Sequence, residues 1–364
     1  MKYRSFGSLL VLIFCMSVIS AQNYTENRSV TKRFKVSPGV TLDINNKYGK
    51  VEISTWNKDS VKIEASLSIN TTSASKIMKL RNSIDFDFSA TTHYIIAKTV
   101  FKSSGNSIVD ELKTLAESIV STNSGIKIDY MVTTPKNINL RLTNKYGDVY
   151  ADDLEGDIQI IISNGGLKAG NLIGNVTVDL SFGNGYIDKI DKGRLVLSYA
   201  DVSLKSAERL TIESKSSKVT IDNAQSLKLQ TRRDKLNLGT VSFIAGDSYF
   251  SDVRVTNLIE ELNLNARFGT ISIETIRRGF SFVNVSSEYT DVDLFFERSN
   301  TFLFDITYNK EALIRMPKEA RAEDKISTAD PTQKILQGHL GSAESTSKVK
   351  VLVAKKASVN LFIK

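Results

Sequence analysis

Cysteine is almost absent from this sequence. The only one, Cys15, lies in an apolar N-terminal stretch, so the remainder of the chain can form neither disulfides nor thiolate centres. Histidine is nearly as scarce: His93 and His339 occur in unrelated segments, which argues against a multi-histidine zinc site or a Ser-His-Asp triad. His93, beside Tyr94, reads as a strand or turn residue. Four prolines and no low-complexity run leave no sign of disordered linkers within the chain. No phosphate-cradling glycine loop is present, because Asn164-Gly165-Gly166 and Phe182-Gly183-Asn184-Gly185 fall at the corners of a repeat. Asp148, Asp201, Asp252 and Asp291 occur singly, unlike the clustered acids of calcium-binding nonapeptides. Together these absences predict no cofactor, no metal site and no catalytic residues.

What is present is a repeat. Leu140-Arg-Leu142-Thr-Asn144-Lys145-Tyr146-Gly147-Asp148-Val149 repeats the pattern of Leu42, Ile44, Tyr48, Gly49 and Val51. With Tyr146 as the corner position, equivalent positions follow at Asn164, Phe182, Tyr199, Ser216, Arg233, Phe250, Phe268, Tyr289 and Tyr308. Aliphatic residues recur six and four before each corner, as in Leu140/Leu142, Ile158/Ile160 and Leu262/Leu264. They recur again three and five after it, as in Val202/Leu204 and Ile271/Ile273, and a further apolar residue sits eight after, as in Leu154 and Leu258. Period-2 alternation on each segment predicts short half-buried strands, stacked in parallel from one repeat to the next. The fold class expected is all-β: a right-handed parallel β-helix of nine or ten turns, 17–20 residues each. The small residue after each corner (Gly147, Gly165, Gly183, Ala200, Ser217, Ser251, Gly269) suggests a tight bend that a larger side chain would hinder. Asp234 breaks that rule, so its corner should differ locally.

Residues 1–21 read as a secretory signal peptide, with Lys2 and Arg4 before the apolar run Leu9 to Ile19 and Ser20-Ala21 as the cleavage site. The run is too short for a convincing membrane span, no later stretch qualifies, and the residues before Cys15 do not suit lipidation. Cleavage leaves 46 basic and 40 acidic residues. A flexible lead-in is expected over 22–33. An N-terminal α+β cap over 34–135, including the first repeat-like unit, should cover one open end of the β-helix. Within it, strands are expected at Val61–Ile69, Ile84–Phe88, Tyr94–Phe101 and Ile126–Val132, with helices at Ala74–Arg81 and Ser107–Ser121. The β-helix proper spans 136–315. Over 316–364 a charged loop, exposed at Glu319–Thr332, precedes a C-terminal cap of two strands carrying Val349, Val351, Val353, Val359 and Leu361.

Charge has its own pattern. Two residues past the corner the column reads Asp148, Gly166, Asn184, Asp201, Lys218, Lys235, Asp252, Thr270 and Asp291. On a parallel stack Asp201 can meet Lys218 and Lys235 can meet Asp252, an exposed charge ladder. One residue before the corner come Lys215, Arg232, Tyr249 and Arg267, and Arg233 takes a corner itself. Lys215, Lys218, Arg232, Arg233, Lys235, Tyr249 and Arg267 therefore predict a basic patch with an aromatic face, suited to an anionic glycan or other envelope component. The same cations could serve only to keep a long stack soluble.

The pair Asn46-Lys47-Tyr48-Gly49-Lys50-Val51 and Asn144-Lys145-Tyr146-Gly147-Asp148-Val149, with Trp56 and the leader, resembles the secreted putative-adhesin β-strand repeat family of Gram-negative bacteria. The resemblance spans about Phe34 to the C-terminus. It implies an exported, adhesin-like right-handed β-helix of unknown function, periplasmic or on the outer surface, with no catalytic residues to carry over. Ser216, Arg233 and Asp234 depart from the family pattern. The function expected is a non-catalytic solenoid that binds an envelope or surface glycan or protein along one face, with nucleic acid disfavoured by export. The alternatives are a carbohydrate-active β-helix enzyme, either polysaccharide lyase or hydrolase, and a periplasmic structural scaffold.

Overall fold

A computed structural model describes residues 23–102, 125–327 and 330–364. The leader and the helix expected at Ser107–Ser121 lie outside the described residues. The described residues form an all-β protein with one helix, and their strands join in a single hydrogen-bonded sheet.

The repeat sequence sets the register. Strands β8 (Asn139–Lys145), β10 (Leu154–Ser163) and β11 (Leu167–Lys215) pair in parallel one repeat apart, Leu140 with Ile158 and Ile158 with Val176. The same offset joins β11 to β12 (Lys218–Arg232), β12 to β13 (Lys235–Ile276) and β13 to β14 (Phe282–Phe296). Alternate side chains point inward, so Leu140, Leu142, Ile158, Ile160, Leu262 and Leu264 are all buried in one continuous core. A register slip of one residue would turn every one of them outward, which is why the alternation fixes the pairing.

The first repeat-like unit joins this stack across a long gap in sequence. β2 (Thr41–Lys47) and β3 (Val51–Trp56) pair in parallel with β8 and with β9 (Val149–Ala151). Their other edges carry β6 (Tyr94–Phe101) and β7 (Gly125–Pro135), also parallel. Antiparallel strands then close this end: β4 (Ser60–Thr71) on β7 and β5 (Ile84–Ala90) on β6. The expected short helix is α1 (Ala74–Ser83), capped by the Ser73 hydroxyl. The stretch expected as a lead-in is ordered instead. Tyr24–Lys35 forms β1, paired antiparallel along the full length of β4, because β4 would otherwise present an open edge of unpaired backbone groups.

At the other end the final strands fold back into the stack. β19 (Lys348–Val353) pairs in parallel with β14 and with β15 (Phe302–Asn309), so it lies between them. β20 (Ser358–Ile363) likewise joins β14 to the short β16 (Leu313–Arg315). The expected loop at Glu319–Thr332 contains a strand, β17 (Arg321–Ile326), paired antiparallel with β18 (Gln333–Leu340), which covers the edge of β15. Every residue of β17 is exposed, and that lack of an apolar face hid it from the sequence pattern.

The corners differ from the expectation in an instructive way. The left-handed residue is the corner residue itself, not the small one after it: φ is +57° at Tyr146, +56° at Phe182 and +58° at Arg233. Tyr308 has no such conformation and is not a corner; among the described residues the last left-handed corner is Tyr289, while Ser299 lies in the turn before β15 as Gly279 does in the turn before β14. The small residue answers to a different constraint. A Cβ on Gly165 would lie 2.1 Å from the Gly147 carbonyl oxygen, and one on Gly147 would lie 1.9 Å from that of Gly49. Each of these glycine corners thus presses its carbonyl into the space beside the next. Asn46 and Asn144, both buried, donate to the carbonyl of Gly49, and Asn144 also donates to that of Gly147, which ties neighbouring corners together. Gly165→Ala should accordingly lower the unfolding free energy by about 1–3 kcal/mol. Exposed Lys168→Ala should change it by less than about 0.5 kcal/mol, both read from urea unfolding midpoints.

Candidate functional site

From Tyr146 onward the left-handed bend throws the corner side chains outward and the parallel register sets them in a row, whereas the Tyr48 ring, at the same bend, is buried against Phe101 and Tyr146. Rings therefore stack along the outside of the molecule. Phe182 lies on Tyr199 with centroids 5.1 Å apart, Phe250 on Phe268 at 4.7 Å, Phe268 on Tyr289 at 5.1 Å, and Tyr48 on Tyr146 at 5.5 Å. A non-glycine left-handed residue costs roughly 1–2 kcal/mol, and a stacked pair returns about 0.5–1.5 kcal/mol. The ladder thus offsets much of the strain that creates it. Asn164 interrupts it with a residue type that tolerates this conformation, whereas Ser216 and Arg233 carry the strain with no ring partner.

That second interruption is where the cations gather. A shallow groove of about 580 Å³ is lined by Asn184, Tyr199, Asp201, Ser216, Lys218, Arg233 and Lys235. Lys218 and Lys235 are direct neighbours in the parallel register. Lys218 pairs with Asp201 at 3.4 Å, as its column predicts. Lys235 does not meet Asp252, which instead accepts a hydrogen bond from the Thr270 hydroxyl at 2.8 Å. Among the described residues neither Lys235 nor Arg233 has an ion-pair partner.

The remaining predicted residues form a second column on the strand before the corner. Lys215, Arg232 and Tyr249 stand in register, all exposed. Arg267 lies over the Tyr249 ring at 6.0 Å but is bound to Glu288 at 2.9 Å. The single compact patch expected from the sequence is therefore two columns flanking the corner row. Only Lys218, Arg233 and Lys235 share the groove with Tyr199.

Asp234 anchors this site from beneath. Its backbone follows the same left-handed corner as its neighbours, so the local difference is in the side chain, which is turned inward and buried. The carboxylate accepts from the Ser217 and Arg232 amides at 2.7 Å each and from the Ser214 hydroxyl at 2.8 Å. It does the work of Ser217 and Ser251, whose hydroxyls sit in the same column and accept from the amides of Ala200 and Asp234 as Asp234 accepts from that of Ser217. Burial pushes the Asp234 carboxyl above the ordinary carboxylate range, opposed by the three donors. Acids of the charge ladder act as acceptors between repeats too: Asp148 takes the Gly166 amide at 2.7 Å, and Asp291 takes both donors of Ser358. The outward stacking of the rings was missed from the sequence, although their recurrence at an otherwise polar bend was its signal.

No protein-family description and no curated protein matches this chain. Among solved structures it is similar to a putative adhesin from Parabacteroides merdae, at 10% identity over 73% of this chain and 95% of the other, with a TM-score of 0.35. A putative adhesin from Parabacteroides distasonis gives 11% identity, 73% and 92% coverage and a TM-score of 0.29. A putative lipid binding protein from the same species gives 12%, 73% and 91%, and 0.30. At these TM-scores the likenesses assign neither a family nor a function. No described helix is long and apolar enough to cross a membrane.

A raised folded-state pKa means that the folded protein holds the Asp234 proton more tightly than the unfolded chain. Its contribution to stability is full below the ordinary carboxylate value and declines as pH rises through the raised one. Asp234→Asn removes that decline but replaces one acceptor with a donor facing a backbone amide, an unmet hydrogen bond worth about 1–3 kcal/mol. Chemical denaturation should find the variant less stable at every pH, with the gap to the parent narrowing from pH 3 to pH 7.

Proposed function

We propose that this chain is an exported, non-catalytic, adhesin-like binding protein that holds an anionic glycan of the cell envelope or surface against its basic groove. The observation that carries the reading is the placement of Arg233 and Lys235, free of ion-pair partners among the described residues, beside Lys218 and the exposed Tyr199 ring. Cations held on a rigid stack lose little freedom on binding an anion, and the adjacent ring offers a face for sugar CH groups. Regular parallel offsets of one repeat, together with the strong right-handed preference of parallel crossovers, support a right-handed parallel β-helix over 136–315. The antiparallel strands closing each end support caps over 34–135 and 316–364. The leader at 1–21 supports export to the periplasm or outer surface.

Residues 22–364 should be titrated with acidic and neutral bacterial polysaccharides at low and moderate salt, recording both binding and any shortened products. The expected result is salt-weakened binding to acidic polymers without cleavage, reduced about tenfold or more by Lys218→Glu, Arg233→Glu and Lys235→Glu together. Release of shortened products would replace the non-catalytic reading, and unchanged affinity in the triple variant would remove the groove from it.

A further inference from the structure

The ring ladder breaks at Asn164 in a different way from its break at the basic groove. Here a single rung is missing, with a ring on each side. The Tyr146 amide donates to the Ser163 carbonyl and the Asn164 amide to that of Ser181, both at 2.9 Å, so the corner of Asn164 lies between those of Tyr146 and Phe182. One face of Tyr146 is covered by Tyr48 and one face of Phe182 by Tyr199, the latter pair within 3° of parallel. The opposite faces of Tyr146 and Phe182 look toward each other across the position of Asn164. Both rings are well exposed, at 45% and 56%.

The width of this slot follows from the strand spacing. Two steps of a parallel stack separate the rings by about 9.5 Å. One additional ring placed midway would sit at the 4.7–5.1 Å spacing that the continuous parts of the ladder already use. The floor is the short Asn164 side chain itself, which follows the same outward bend; its amide and that of Asn184 are exposed and make no hydrogen bond among the described residues, and a separate cleft of about 320 Å³ lined by Tyr150, Phe182 and Asn184 lies alongside.

We infer that this slot is a binding site for one pyranose ring of gluco configuration, clamped between Tyr146 and Phe182. A sugar held between two aromatic faces must present CH groups on both of its own faces. Only a ring whose hydroxyls are all equatorial does so; an axial hydroxyl would press a polar group against one of the rings and leave it without a hydrogen-bond partner. The equatorial hydroxyls then point around the rim, where the free amides of Asn164 and Asn184 can donate and accept. The inference deepens the glycan reading above by naming the sugar. An equatorially linked chain lies in the plane of its rings, so it would cross the corner row at the slot, three to four repeats from the cations at Lys218, Arg233 and Lys235.

Cellohexaose and mannohexaose provide the test, since both are neutral β-1,4 chains that differ at C2, equatorial in one and axial in the other. Calorimetry on residues 22–364 should show cellohexaose bound at least about fivefold tighter. Asn164→Tyr, which fills the slot with the residue found at Tyr146 and Tyr199 and so preserves the fold, should abolish that preference. The Lys218→Glu/Lys235→Glu variant should leave it intact, because neither probe carries charge. Equal affinities, no binding of either probe, or a preference that survives Asn164→Tyr would each overturn the slot. Loss of acidic-polymer binding in the charge variant is judged separately, so failure of the basic groove and failure of the slot give different results.

Discussion

The structure depends on how closely one corner approaches the next. The carbonyl of each corner glycine occupies the position that a Cβ on the following one would need, 1.9 Å away at Gly147 and 2.1 Å at Gly165. That approach admits only hydrogen at the glycine corners, whereas at Ala200, Ser217, Asp234 and Ser251 the same position holds a buried side chain. The chain can then make so tight a turn only by sending the preceding residue into the left-handed region. Strain is thus placed on a residue that projects to solvent, where a large ring can recover part of it by stacking on its neighbour. Core, corner and outer ladder are linked parts of one repeated compromise.

Interruptions of the ladder are where that compromise leaves ring faces and charge open to solvent. Where rings are continuous, their faces are consumed by one another and only edges reach solvent. Where a rung lacks a ring, faces are freed. At Asn164 one rung is missing and two faces look at each other across polar ground. At Ser216 and Arg233 two rungs are missing, and the vacated surface is occupied by cations whose charge is only partly neutralised by Asp201. The buried Asp234 shows how firmly that second region is built. Its carboxylate joins the amides of two neighbouring repeats, so the backbone that carries Lys218, Arg233 and Lys235 is held from within.

Both ends are finished by antiparallel strands, and each end solves the same problem in its own way. Toward the N-terminus, a long excursion supplies β4 to β7, and β1 runs along the open edge of β4. Toward the C-terminus, the chain passes beyond its final repeat and returns to insert β19 and β20 beside β14. Parallel stacks expose rows of unpaired amides and carbonyls at their ends, which favours such closure over a bare edge.

The sequence alone determined the repeat, its register and the identity of the core, because inward alternation at fixed spacing leaves few alternative pairings for residues such as Leu140, Ile158 and Val176. It also determined which residue types occupy each outer column, and hence that Lys218 and Lys235 are neighbours. It could not determine β1 or β17, whose polar faces carry no apolar period and whose pairing is fixed by the edges they cover. Nor could it say that Lys215, Arg232, Tyr249 and Arg267 stand apart from the groove, since a corner separates residues that are close in the chain. The outward stacking of the rings was decided only by tertiary structure, because it requires the left-handed bend, and the bend arises from contact between successive repeats rather than from the local sequence of any one of them.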